Sequence, residues 1–89
     1  MICVIRFPRM SAKRAVIIQN LVTRLRAERI DQELSMTEVA ARCGIDRTMV
    51  MRVEERERTP SIDTLLRIAD ALGVDLWKLL RDATKETQT

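Results

Sequence analysis

Arg47, Thr48, Met51 and Arg52 fall on one side of a short segment whose Val50 and Val53 fall on the other, if each residue turns the chain by about 100°. A guanidinium carries paired N–H donors that match the two acceptors on the major-groove edge of a guanine. A threonine or methionine can touch the methyl group of a thymine. Two arginines alone would be consistent with an ordinary solvated helix face. The residues before them change that balance. Ser35 followed by Glu38 opens one short helix, Gly44 stops it, and Asp46 opens a second. Two such helices cross at roughly 90–120° when their contact is small and the turn accepts a left-handed residue. Ala40 and Gly44 supply those two conditions. A pair of this shape suits insertion of its second helix into the major groove of duplex DNA, and base readout becomes the better reading of Arg47 and Arg52.

Contacts to phosphate set register rather than sequence. Met36 and Thr37 begin the first helix of the pair, where free amides and the helix dipole favour an anion. Arg56, Arg58 and Thr59 follow the second helix and are further phosphate candidates. The alternative for Arg56 and Arg58 is pairing with Glu55 and Glu57.

The elements that must position these groups are helical throughout. Ile18, Leu21, Val22 and Leu25 recur at helical spacing, predicting a first helix over 12–31 with Ile30 continuing its inner face. Arg14, Arg24, Arg26 and Glu28 lie mostly on its other side. Val39, Ala40 and Cys43 form the inner face of the second helix, and Asp46 caps the third, which runs to about Glu55. Pro60 and Ser61 precede a fourth, which carries Ile62, Leu65, Leu66, Ile68, Ala69 and Leu72 up to Gly73. Asp75 caps a fifth with Leu76, Leu79 and Leu80 inward. Residues 1–11 read as an extension, either frayed or an ordered strand or dimer contact, because Pro8 ends a regular element. Residues 12–82 form the domain, and 83–89 are a polar tail expected to fray.

Composition limits the alternatives. The 89 residues suit one domain, and 46% are apolar, yet Trp77 and Phe7 are the sole aromatics. The core must be aliphatic. Sixteen Lys and Arg against thirteen Asp and Glu leave a charge of +3, so placement matters more than excess. The absence of histidine removes His ligands and a His base. Cys3 and Cys43 are too far apart for a Cys-x-x-Cys motif, and Cys43 reads as a small buried hydrophobe. With no nucleophile–base pair, carboxylate cluster or glycine-rich phosphate loop, no enzyme, cofactor, metal or small-molecule substrate is expected. No membrane span or signal peptide is read, so a cytoplasmic location is expected.

From Leu21 to Leu80 the chain resembles the phage Cro/repressor-type, XRE-like helix-turn-helix family. The matching residues are Leu25-Arg26-Ala27-Glu28-Arg29, Leu34-Ser35, Glu38-Val39-Ala40, Gly44-Ile45 and Arg52-Val53-Glu54. The match continues from Arg58 through Pro60-Ser61-Ile62 and Leu65-Leu66-Arg67-Ile68-Ala69 to Leu72-Gly73-Val74 and Leu79-Leu80. The resemblance implies an all-α, compact five-helix lambda-repressor-like domain with helices two and three as the helix-turn-helix. It implies a homodimeric regulator of transcription on a roughly palindromic operator, with half-sites about one helical turn apart. By position, the base-reading residues are Arg47, Thr48, Met51 and Arg52, and a buried ion pair falls on Arg29 and Glu54. Three positions depart from the family pattern. Met36 replaces a phosphate-gripping glutamine, Arg56 a glycine closing helix three, and Glu33 a glycine after helix one.

Trp77 stands where the family has a polar residue, and with its neighbours turned inward it points partly outward. Trp77, Leu80 and Arg81 are therefore assigned to a dimer interface, with Arg81 over the indole. For a stand-alone domain this short, no effector-binding domain is expected. The roles left are a phage-type repressor, a controller of a restriction–modification operon, or the regulator of a toxin pair. The alternative is an antitoxin-type or other module that holds a partner protein through residues 1–11 or the fifth helix.

Overall fold

In the computed structural model the chain forms α1 (Ile2–Asp31), α2 (Met36–Cys43), α3 (Arg47–Glu54), α4 (Ile62–Leu72) and α5 (Leu76–Gln88). The structure describes residues 2–55 and 59–88, with side chains for 13–55 and 59–86. Among the described residues there is no strand, and no helix is long and apolar enough to cross a membrane.

The core is aliphatic, as the composition requires. Leu21, Val22 and Leu25 of α1 meet Val39 and Ala40 of α2, Val50 and Val53 of α3, Leu65, Ile68 and Leu72 of α4, and Leu76 of α5. α1 packs chiefly on α5, while α2 packs on both α3 and α4. The start of α2 is reciprocal: Ser35 Oγ accepts from the Glu38 amide at 3.0 Å, and Glu38 Oε1 accepts from the Ser35 amide at 2.9 Å. Those bonds hold the Glu38 carboxyl below the usual carboxylate range. Ser61 caps α4 in one direction only, its Oγ accepting from the Thr64 amide at 3.1 Å.

Both helix ends at a glycine are left-handed, and Gly44 at φ 70° turns the chain from α2 toward α3. The end of α1 adopts that conformation without a glycine. Glu33 has φ 58°, with its amide on the Ile30 carbonyl and the Leu34 amide on the Arg29 carbonyl. The third family glycine is replaced at Arg56, which lies outside the described residues; α3 itself ends at Glu54.

Several sequence expectations change. α1 begins at Ile2 and passes through Pro8, so the backbone does not switch element near residue 11. Extending an existing helix needs no new nucleus, which limits the cost of the one amide that proline lacks. The side chains of 1–11, and with them the dimer-contact alternative, lie outside the described residues. At the other end α5 continues to Gln88, and Ala83 is fully buried. Ala83 follows Leu76 and Leu79 by seven and four residues, so it extends their stripe against α1, where Arg24 also pairs with Glu86. Asp46 precedes α3 without a side-chain capping bond; its backbone carbonyl accepts from Met49 and Val50. Ile30 and Leu80, assigned inward by periodicity, are exposed, and so are Ile62 and Leu66 of α4.

A partly buried charged pair borders this apolar interior. Arg29 Nε donates to Glu54 Oε2 at 2.6 Å and Nη2 to Oε1 at 2.9 Å, while Nη1 donates to the Leu34 carbonyl at 2.8 Å. The two side chains are 13% and 8% exposed. Removing one member leaves the other charged and largely desolvated. Glu54→Ala is expected to lower stability by about 3 kcal/mol, whereas Glu55→Ala, on an exposed residue, changes it by less than about 0.5 kcal/mol. Equal melting temperatures for the two variants would contradict this. At Glu33 a left-handed L residue costs roughly 1–2 kcal/mol, partly offset in glycine by roughly 0.5–1 kcal/mol of chain entropy. Glu33→Gly is therefore expected to stabilise by up to about 1 kcal/mol, raising the melting midpoint by roughly 4–8 °C at that limit. A lower midpoint would mean that the Glu33 side chain contributes more than its backbone costs.

Candidate nucleic-acid interface

Two β-branched residues orient α3. Val50 and Val53 are 1% and 2% exposed, three residues apart, and lock one face of the helix onto the core. The opposite face follows from that. Arg47, Thr48 and Arg52 are exposed and Met51 is half-buried, so the four sequence-derived reader positions share one outward face. Neither Arg47 nor Arg52 is held in an ion pair among the described residues. Their donors are free to meet acceptors from outside the molecule.

The ends of α3 are held differently. Its last residue, Glu54, is gripped by Arg29 and approached by Arg26 at 3.6 Å. Its first residue follows the Gly44 turn, where the amides of Gly44 and Ile45 both reach the Ala40 carbonyl. Arg47 and Thr48 therefore project from the end nearer the turn.

Among the phosphate candidates, Met36 is half-buried and its side chain packs against the core. Its contribution is limited to the backbone. The amides of Met36 and Thr37 occupy the first turn of α2, where no intrahelical acceptor exists, while Ser35 takes the next amide. Thr59 is exposed after α3; Arg56 and Arg58 lie outside the described residues.

A second feature lies on α4 and α5. Trp77 is 60% exposed, with the Arg81 guanidinium 5.1 Å from its ring centre and Lys78 Nζ at 5.9 Å. It lines one open groove with Ile62, Leu66 and Leu80. Sequence reading does not distinguish the first two from the core-facing residues of α4. A signal was present: seven large or small apolar residues within the eleven of α4 exceed what one core-facing stripe can bury. The residues that cap carbonyls between helices were also missed. Gln32 Nε2 donates to Leu72 O at 2.7 Å, Arg42 to Ala71 O at 3.3 Å, and Arg67 to Cys43 O at 3.2 Å. Nothing in a linear pattern distinguishes these from ordinary surface polar residues. Cys43 is buried, donates its thiol to the Val39 carbonyl, and has its pKa raised by desolvation.

Comparison with known proteins agrees with this geometry. The family model described as helix-turn-helix matches residues 25–76. A Neisseria hypothetical transcription factor, from Neisseria meningitidis serogroup B, is 36% identical over 67 residues. The alignment spans 75% of this chain and 59% of that protein's length. The control protein C.MunI of a Mycoplasma species is also 36% identical over 67 residues, spanning 75% of this chain and 88% of that one. The crystal structure of a point mutant of the restriction–modification controller protein C.Esp1396I superposes with a TM-score of 0.71 at 19% identity. It covers 81% of this chain and 94% of the other, and establishes likeness of fold. With an unbroken family match across both short helices, the chain belongs to the XRE-type helix-turn-helix family of DNA-binding transcription regulators.

Proposed function

We propose that this chain acts as a homodimer of the controller or phage-repressor kind, in the cytoplasm, inserting α3 into the major groove at each half of a roughly palindromic operator. The observation that carries the reading is the orientation of α3, with valines in the core and Arg47, Thr48, Met51 and Arg52 outward. Arg47 and Arg52 then read base edges, and the amides of Met36 and Thr37 anchor phosphate together with Thr59, Arg56 and Arg58. The restriction–modification controller role is favoured by the likeness to C.MunI over most of that protein's length. A methyltransferase or endonuclease gene beside this one would support it; a toxin or phage gene would redirect the assignment.

The dimer contact we assign to the face of Ile62, Leu66, Trp77 and Leu80. A tryptophan 60% exposed amid aliphatic neighbours is a typical interface anchor. Its surroundings carry both signs, Asp70 and Asp75 lining the groove and Lys78 and Arg81 against the ring. A two-fold axis can set acids of one copy against bases of the other.

Selection of bound sites from random duplexes tests the DNA reading. Arg52→Ala is expected to relax preference at one base position at a cost of about 1–3 kcal/mol. Arg58→Ala is expected to weaken all sequences alike and reduce the salt slope by about one. The opposite pattern would reverse the roles of reader and anchor. For assembly, Trp77→Ala should reduce dimer affinity by roughly 30-fold in sedimentation velocity. A dimer indifferent to that change would remove this face from the interface.

A further inference from the structure

We propose that Arg67, on α4, is a positioning residue for DNA reading, acting through the turn between α2 and α3 without itself touching DNA. The inference rests on the assignment of α3 as the reading helix. Arg67 spans two acceptors. Its Nε donates to Asp63 Oδ2 at 2.9 Å, one turn earlier on α4, and its Nη1 donates to the Cys43 carbonyl at 3.2 Å. Cys43 is the last residue of α2, and its carbonyl is among those that a helix end leaves without an intrahelical donor. The same Nη1 lies 3.9 Å from where a Cβ on Gly44 would stand, so the guanidinium sits directly over the turn.

The turn's own hydrogen bonds cannot do this work alone. The amides of Gly44 and Ile45 both converge on the Ala40 carbonyl, behind the turn, within α2. α4 packs on α2, so a donor reaching forward from α4 ties the turn to the body of the domain. The far end of α3 is pinned separately by the Arg29–Glu54 pair. α3 is thus held at its C-terminal end from α1, and at its N-terminal side by the turn that Arg67 grips. Its eight residues span roughly 12 Å. A tilt of about 5° about the Glu54 end would move Arg47 by about 1 Å, enough to spoil a paired hydrogen bond to a base edge. Asp63 keeps the guanidinium plane aimed; a lysine carries the charge but lacks the planar fork that serves both acceptors at once.

The test compares binding to a duplex selected by the wild-type protein and to an unrelated duplex of equal length, across a salt series. Arg67→Lys is expected to weaken the selected duplex about tenfold, to leave the unrelated duplex within about twofold, and to leave the salt slope unchanged. Asp63→Asn should move affinity in the same direction by a smaller factor, and thermal unfolding of both variants verifies that they are folded. If Arg67→Lys binds like wild type, or if Arg67→Met lowers both duplexes together with a salt slope smaller by about one, Arg67 is a phosphate anchor and the positioning role is wrong. A wild-type protein that selects no duplex at all would instead overturn the DNA-reading assignment, and this inference with it.

Discussion

Arg29 joins three parts of the chain through one planar group. Its fork meets the Glu54 carboxylate by two bonds, and its remaining nitrogen serves the Leu34 carbonyl just before α2 begins. Charge-assisted bonds of this fork-to-fork kind are directional as well as strong, so they set orientation where apolar contact alone would allow sliding. Glu54 closes the helix whose outward face carries Arg47 and Arg52. Losing the pair would therefore expose more than a stability deficit; the helix would keep its valines buried yet lose its angular reference. The carboxylate also draws Arg26 toward the same place, which concentrates positive charge around the end of α3.

A core with no buried aromatic among the described residues has little surplus for unsatisfied polar groups. The chain answers by letting helices cap one another. Gln32 from the end of α1 reaches the last carbonyl of α4, Arg42 of α2 reaches the neighbouring one, and Arg67 of α4 reaches the end of α2. These contacts tie helix ends to the helices packed against them, and each fixes a helix along its axis as well as across it. Four buried valines and several leucines supply the bulk of the burial, but they are tolerant of rotation in a way that a carbonyl–guanidinium contact is not.

The largest apolar side chain described, Trp77, stays outside, accompanied by Ile62, Leu66 and Leu80. These four side chains form a contiguous apolar patch on the surface rather than part of the core. It lies on α4 and α5, and the outward face of α3 contributes no residue to it. The two surfaces are nevertheless linked, since α4 carries both the apolar face and the arginine over the α2–α3 turn.

How far the sequence alone reaches is visible residue by residue. Ser35 with Glu38, Ser61, Gly44 and Gly73 located helix boundaries because capping and left-handed backbone depend on local chemistry within a few residues. The burial of Val50 and Val53, and hence the outward face of Arg47 and Arg52, followed from the helical period. Arg29 and Glu54 were identified through family resemblance, since a spacing of 25 residues carries no local signal. Periodicity did not separate Ile62, Leu66 and Leu80 from the buried residues beside them, because a wide apolar arc carries no mark of which part the domain itself covers. It failed also at residues 2–11 and 83–88, whose helices extend along a neighbour or an existing helix that their own composition does not reveal. Helix positions and faces were thus written locally in the chain. Which face met which, and which polar atom closed each exposed carbonyl, came from packing, since those distances are set only after the helices have docked.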